Sequence, residues 1–186
     1  MDGGDVYPTG ADGAEKKPLI RARRPDDMAD CVRVLAAVHA TDGYPMRWPA
    51  DPPGWLTPER LLVAWVAEDA GAIVGHVALC GATGDSGAPL WSAASGLPAE
   101  RLIVVARLFI APAVRGRGLG AALLSQACAE AHRRGLRPVL EVLDHDRGAV
   151  ALYERAGWRC VASAPASWAP TGGEQLSLRY YVALEW

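Results

Sequence analysis

The chain of 186 residues has no strong excess of either charge, with 19 Lys and Arg against 21 Asp and Glu and a formal net charge of −2. Without a basic surplus there is no general pull toward nucleic acid or an anionic membrane, so neither is expected as a partner, although RARR at 21–24 remains a local basic cluster. Cys31, Cys80, Cys128 and Cys160 show no CxxC spacing, and each lies in or beside an apolar segment. That pattern predicts reduced, buried thiols rather than disulfides or a metal site. The histidines, His39, His76, His132 and His145, form no metal-binding motif either, so no metal is expected. No window approaches the roughly 20 apolar residues of a membrane span, and residues 1–17 lack the apolar run of a signal peptide. The expectation is a soluble, cytoplasmic protein. Its Gly/Asp-rich residues 1–17 read as a disordered tail before a single domain over 18–186.

Along that domain, PLIRARR (18–24) reads as a first strand and Met28 to His39 as a one-sided helix, its apolar positions recurring at helical spacing. Residues 41–59 follow with five prolines, two tryptophans and a tyrosine. Prolines at that density prevent a long regular helix or central strand. The segment is either a rigid loop stapled to the core or an aromatic wall of a substrate site. LLVAWVAE (61–68) and AIVGHVALC (72–80) form a hairpin, residues 81–99 read as a long irregular excursion, and RLIVVARLFI (101–110) as a buried central strand. A helix over 118–134, a strand at 138–143, a helix after Asp146 and strands at 158–164 and 174–186 complete the order. Strand and helix alternation of this kind gives an α/β (mixed α+β) layer, helices packed on a mixed sheet.

The stretch VRGRGLGAALL, residues 114–124, stands out because glycine weakens a helix start. At a strand-to-helix junction the first-turn N–H groups have no intrahelical partners, and glycines leave them open to approach. Free N–H donors and the helix dipole together favour an anion, and Arg115 and Arg117 offer charge-assisted bonds to phosphate. Two nucleotide motifs are excluded: the spacing is not GxGxxG, and there is no GK[ST]. The expected ligand is a phosphate-bearing group held by neither.

RLFIAPAVRGRGLGAALL, followed by LEV and then DRGAVALYERAGWR, resembles the acyl-CoA-binding core of the GNAT (GCN5-related) N-acetyltransferase family. The likeness is strong over 101–164 and extends in element order over 18–184. It implies a mixed, mostly antiparallel twisted sheet of about seven strands flanked by about four helices. It also implies acetyl-CoA as cosubstrate, with the backbone near Leu108, Phe109 and Ile110 pairing with the pantetheine arm. The amides of Arg115, Gly116, Arg117, Gly118, Leu119 and Gly120 would hold the pyrophosphate. The Arg117 side chain would face solvent or the adenosine phosphate. Asp146 stands where an asparagine is common, as a cofactor contact or a helix cap.

The same resemblance makes Tyr153 the general acid for the leaving thiolate, the other reading being a helix residue packed beside Trp158. Glu141, a lone carboxylate in an apolar strand, must be paired, hydrated or functional. By partial likeness to the bacterial ribosomal-protein alanine acetyltransferases it is a base acting through water. Otherwise it braces the sheet or faces the amine as a counter-charge, and ordered water takes the proton. His76 is read as structural.

The implied activity is acetyl transfer to a primary amine of a small molecule or peptide. The alternatives are a non-catalytic acyl-CoA-binding module and a purely structural protein. Asp42, Tyr44, Trp48, Trp55 and Trp91 are the candidate acceptor wall. The Val, Leu and Trp of the last strand offer a surface for a homodimer.

Overall fold

The computed structural model describes residues 18–166 and 176–184. Its strands are β1 Leu19–Ala22, β2 Leu61–Asp69, β3 Ala72–Gly81, β4 Leu102–Ile110, β5 Arg137–Leu143, β6 Trp158–Pro165 and β7 Ser177–Ala183. The helices are α1 Met28–Asp42, α2 Pro52–Leu56, α3 Ala88–Ser95, α4 Leu119–Arg133 and α5 Arg147–Arg155. All seven strands join one sheet in the order β1-β2-β3-β4-β5-β7-β6. Neighbours are antiparallel except β4 and β5, which run parallel. This is the mixed, mostly antiparallel architecture that the sequence predicts. The expected tail at 1–17 lies outside the described residues, as do the ends of the last expected strand.

Alternation along the strands sorts side chains onto two faces. Val77, Leu79, Ile103, Val105 and Leu140 meet Leu123, Leu124, Ala127 and Ala131 of α4, with Tyr153 of α5 and Trp158 completing that cluster. On the other face Cys31, Val34, Leu35 and Val38 of α1 pack on Val66, Ile73 and Phe109. Beside them Trp91 of α3 packs with Ala78, Cys80, Val104, Val139 and Tyr180. α1 runs one turn past His39 and stops at Gly43, whose φ of 71° is a left-handed cap that donates to the His39 carbonyl.

Two expectations are corrected. The excursion at 81–99 contains α3: Pro89 opens it and Gly96, at φ 70°, closes it, so these breakers are caps rather than loop residues. The cysteines are free, but only Cys31 and Cys80 are buried; Cys128 is half-buried and Cys160 exposed, because β6 is an edge strand. β7 is inserted between β5 and β6 and buries Tyr180 to Ala183, so Val182 offers no surface to a second copy, while Leu184 is exposed and Trp186 lies outside the described residues.

Leu123 is fully buried against the sheet whereas Leu62 is 46% exposed. Leu123→Ala should therefore cost about 2–5 kcal/mol and Leu62→Ala less than about 0.5 kcal/mol, as read from urea unfolding midpoints.

Candidate active site

β4 and β5 pair only through Leu102, Ile103 and Val104 against Arg137, Pro138 and Val139. Beyond Val104 the edge of β4 that faces β5 has no strand partner, while its other edge continues along β3 to Ile110. β4 also carries a bulge: His76 aligns with Phe109 and Ala78 with Ala106, so Val77 faces two residues. Arg107, one of those two, has a φ of 53°. Bulges bend and twist a strand away from its partner. Between the parting strands lies a cleft of 1580 Å³.

The bulge is held from behind by His76, which is fully buried. Arg23 Nη1 lies 3.1 Å from His76 Nε2, and His76 Nδ1 lies 3.0 Å from the Arg107 carbonyl. A guanidinium only donates, so Nε2 accepts and Nδ1–H donates to the carbonyl, which fixes the neutral tautomer. Burial, reinforced by the charges of Arg23 and Arg107, pushes the His76 pKa down to about 3. Its ring stacks on Phe109 at 5.2 Å.

At the phosphate end, Gly116 (φ 77°) and Gly118 (φ 79°) are left-handed, and a Cβ at either would meet nothing within 4 Å. Among the described residues no backbone N–H from Gly116 to Ala121 donates to another group; the first such bond runs from Ala122 to the Gly118 carbonyl. Open space over a row of free donors at a helix start fits a diphosphate. The Arg115 amide does not belong to this row, because it bonds the Pro112 carbonyl at 3.4 Å. Both arginine side chains are already paired, Arg115 with Asp42 and Arg117 with Asp69. Arg117 faces solvent, as one of its two expected placements had it, while paired with Asp69. Asp146 caps α5, its Oδ1 accepting from the Ala149 amide at 3.0 Å, and also lines the cleft.

Tyr153 and Glu141 reach the cleft from opposite faces. Tyr153 is buried on the α4–α5 side, with Trp158 at 6.0 Å and Tyr181 at 6.1 Å. Burial, with smaller contributions from Tyr44 and Asp146, raises its pKa above the usual phenol value and keeps it protonated. Glu141 stands opposite Tyr180 in the β5–β7 register, hence on the α3 side, and its Oε2 is buried without a hydrogen-bond partner. Burial, and then the negative charge of Asp85, raises its pKa to about 7.

Of the expected aromatic wall, Tyr44 and Trp55 line the cleft, meeting edge to face at 6.0 Å. Asp42 also lines it but is committed to Arg115. Trp48 instead packs on His39 at 5.4 Å and is largely exposed, and Trp91 is buried under α3 against Tyr180. Neither belongs to the wall: Trp91 lies in α3, whose apolar side packs on the sheet. Arg60, Cys80, Asp85 and Arg107 complete the α3 side, none of them expected there. Arg107 carried a readable signal, a lone charge inside an apolar strand, the same signal that singles out Glu141.

The model of the acetyltransferase (GNAT) family matches residues 32–158. The chain belongs to the GNAT acetyltransferase family. Solved structures with the same fold include the ribosomal-protein-S18-alanine N-acetyltransferase of Escherichia coli, 18% identical, covering 89% of this chain and 92% of that one at a TM-score of 0.65. NAA60 of Arabidopsis thaliana in complex with acetyl-CoA is 21% identical, with 89% and 97% covered and a TM-score of 0.66. An N-acetyltransferase of Staphylococcus aureus Mu50 is 15% identical, with 90% and 98% covered and a TM-score of 0.68. At these identities the likeness is one of fold. No curated protein matches the chain in sequence. Among the described residues no helix is long and apolar enough to cross a membrane, and no cluster of three or more metal-ligating side chains occurs.

A histidine whose folded pKa is depressed to about 3 contributes stability above its unfolded value, about 6.5, that is lost as pH falls toward 3. His76→Phe should therefore cost about 1–3 kcal/mol at pH 8 through lost hydrogen bonds. Its deficit relative to the parent should narrow by about pH 5, measured by urea unfolding at both values.

Proposed function

We propose that the chain is an acetyl-CoA-dependent N-acetyltransferase that moves an acetyl group directly onto a primary amine of a small molecule or peptide. The observation that carries this reading is the parting of β4 and β5 beside a row of free amides, with a candidate acid and a candidate base entering the gap from opposite faces. The cosubstrate supplies the acetyl group activated as a thioester. The unpaired edge of β4 around Leu108, Phe109 and Ile110 accepts the amides of its pantetheine arm as a further strand would be accepted. The amides of Gly116, Arg117, Gly118, Leu119 and Gly120 hold its diphosphate at the start of α4. Arg115 and Arg117 stay with their carboxylates and frame that site, and Asp146 fixes the start of α5 beside it.

An amine must lose a proton to attack, and a base is most effective when its pKa lies near the working pH. Glu141, raised to about 7, meets that condition. It takes the proton from the incoming nitrogen, directly or through one water. As the C–N bond forms and the C–S bond breaks, Tyr153 on the other face gives its proton to the departing sulfur and recovers it from solvent.

A Cβ on Gly120 would sit in ordinary contact with Leu152 and Ile110, at 3.5 and 3.8 Å, so a Cβ is accommodated there without a clash. Gly120→Trp should stay folded by circular dichroism yet lose the micromolar acetyl-CoA binding expected of the parent by calorimetry. Absence of binding to the parent would overturn the reading, and binding without turnover on any amine would favour the acyl-CoA-binding module.

Glu141→Gln should lower kcat/KM by about 10²-fold or more and remove the rise in rate centred near pH 7. Tyr153→Phe should lower kcat and leave acetyl-CoA affinity unchanged. Because Glu141 is raised, its contribution to stability is present below about 4.5 and lost through about 7, so Glu141→Gln should gain in melting temperature over the parent at pH 8 and not at pH 4.

A further inference from the structure

Arg107 is a half-buried cleft cation that the acid, base and phosphate roles leave unused. Its guanidinium lines the cleft and stands over the Trp55 ring at 4.7 Å. Nη1 has only the Cys80 sulfur at 3.9 Å, and Nε is buried with no hydrogen-bond partner. Of the other arginines at or near the cleft, Arg60 is matched by Asp85 at 3.0 Å, Arg115 by Asp42 and Arg117 by Asp69, while Arg47, Arg147 and Arg155 are unpaired among the described residues but exposed to water. Arg23 gives its protons to the Leu56 carbonyl, the Thr57 hydroxyl and His76. Arg107 has no carboxylate among the described residues. Burial lowers its pKa, and Cys80 and Tyr44 offset that only in part. A half-buried cation without an anion is costly, and a non-glycine residue at φ 53° adds backbone strain of the kind that collects at working sites.

The contacts with Cys80 and Trp55 put the guanidinium on the face of the sheet that also carries Glu141 and Tyr180. A ligand entering from that face meets a cation in the same cleft as the candidate base. We propose that Arg107 binds a carboxylate carried by the acceptor itself, so that the acceptors are free amino acids rather than simple amines or peptide N-termini. The amine faces Glu141, the carboxylate pairs with the Arg107 fork, and Tyr44 and Trp55 cover the remaining apolar part. This rests on the acetyltransferase reading for the transfer step, but the anion site stands on the geometry of Arg107 alone.

The test uses the full chain and three matched sets of probes, read by calorimetry with and without coenzyme A and by thiol release from acetyl-CoA. The sets are leucine and phenylalanine, the amine-free acids isocaproate and hydrocinnamate, and the carboxylate-free amines isopentylamine and phenethylamine. Amino acids should be acetylated with a kcat/KM about tenfold or more above the matched amines, and the amine-free acids should bind the parent. Arg107→Met should weaken acid binding about tenfold or more and erase the preference, with acetyl-CoA affinity unchanged. Arg107→Lys should restore part of the binding, since it keeps the charge without the fork. The proposal is overturned if none of the carboxylates binds the parent, if amines and amino acids react equally, or if the variant loses acetyl-CoA instead. Carboxylate binding that persists while acetyl-CoA fails to bind would sink the acetyltransferase reading and leave the anion site in place.

Discussion

The arrangement of the whole site depends on the early end of the β4–β5 pairing. β5 keeps β7 as a partner through Leu143, and β4 keeps β3 through Ile110, so each strand stays in the sheet by one edge while the edges facing each other separate. Unpaired main-chain groups must find water or a ligand. A sheet that opens in its middle therefore offers an extended hydrogen-bonding edge where a closed one would be inert. It also joins two faces that packed strands would keep apart, which is how Tyr153 under α5 and Glu141 on the α3 side come to border one space.

The charges beside the glycine turn are neutralised in advance. Arg115 with Asp42 ties α1 to the glycine turn, and Arg117 with Asp69 ties the same turn to the β2–β3 hairpin. Exposed pairs of this kind add little to stability, so their contribution is one of placement. The attraction for an anion then falls to the backbone donors at the start of α4, which need no rearrangement to act. On the α3 side the pattern reverses: Glu141 Oε2 and Arg107 Nε are buried without hydrogen-bond partners, and an unsatisfied group in a cleft is where binding energy can be gained.

How much of this the sequence discloses follows from the range of each interaction. The glycine turn, α4, the α5 cap at Asp146 and the β2–β3 hairpin rest on neighbours within a few residues, and each is legible from local chemistry. The α3 helix is not, because Ala, Ser, Gly and Pro suit both a loop and a short capped helix, and burial of Trp91 against Tyr180 decides between them. The partners of Arg115 and Arg117 are 73 and 48 residues distant, beyond any spacing rule. The place of β7 between β5 and β6 is likewise a matter of topology, and it turns an apparent surface strand into core.

The bulge at Arg107 shows how such distant contacts bear on chemistry. Arg23 leaves β1 and reaches the Leu56 carbonyl, the Thr57 hydroxyl and His76 at once, and His76 passes the connection to the Arg107 carbonyl. One guanidinium thus joins the end of the proline-rich segment, which carries Trp55, to the strand distortion that presents Arg107 beneath that same ring. The link works only while His76 is neutral, because a doubly protonated ring has no acceptor for Arg23. Burial keeps it neutral over the whole physiological range. Residues 41–59 are therefore both of the things their composition suggests: a loop stapled to the core, and at Tyr44 and Trp55 a wall of the cleft, with the staple supplied by a buried polar chain that also sets the shape of the strand opposite.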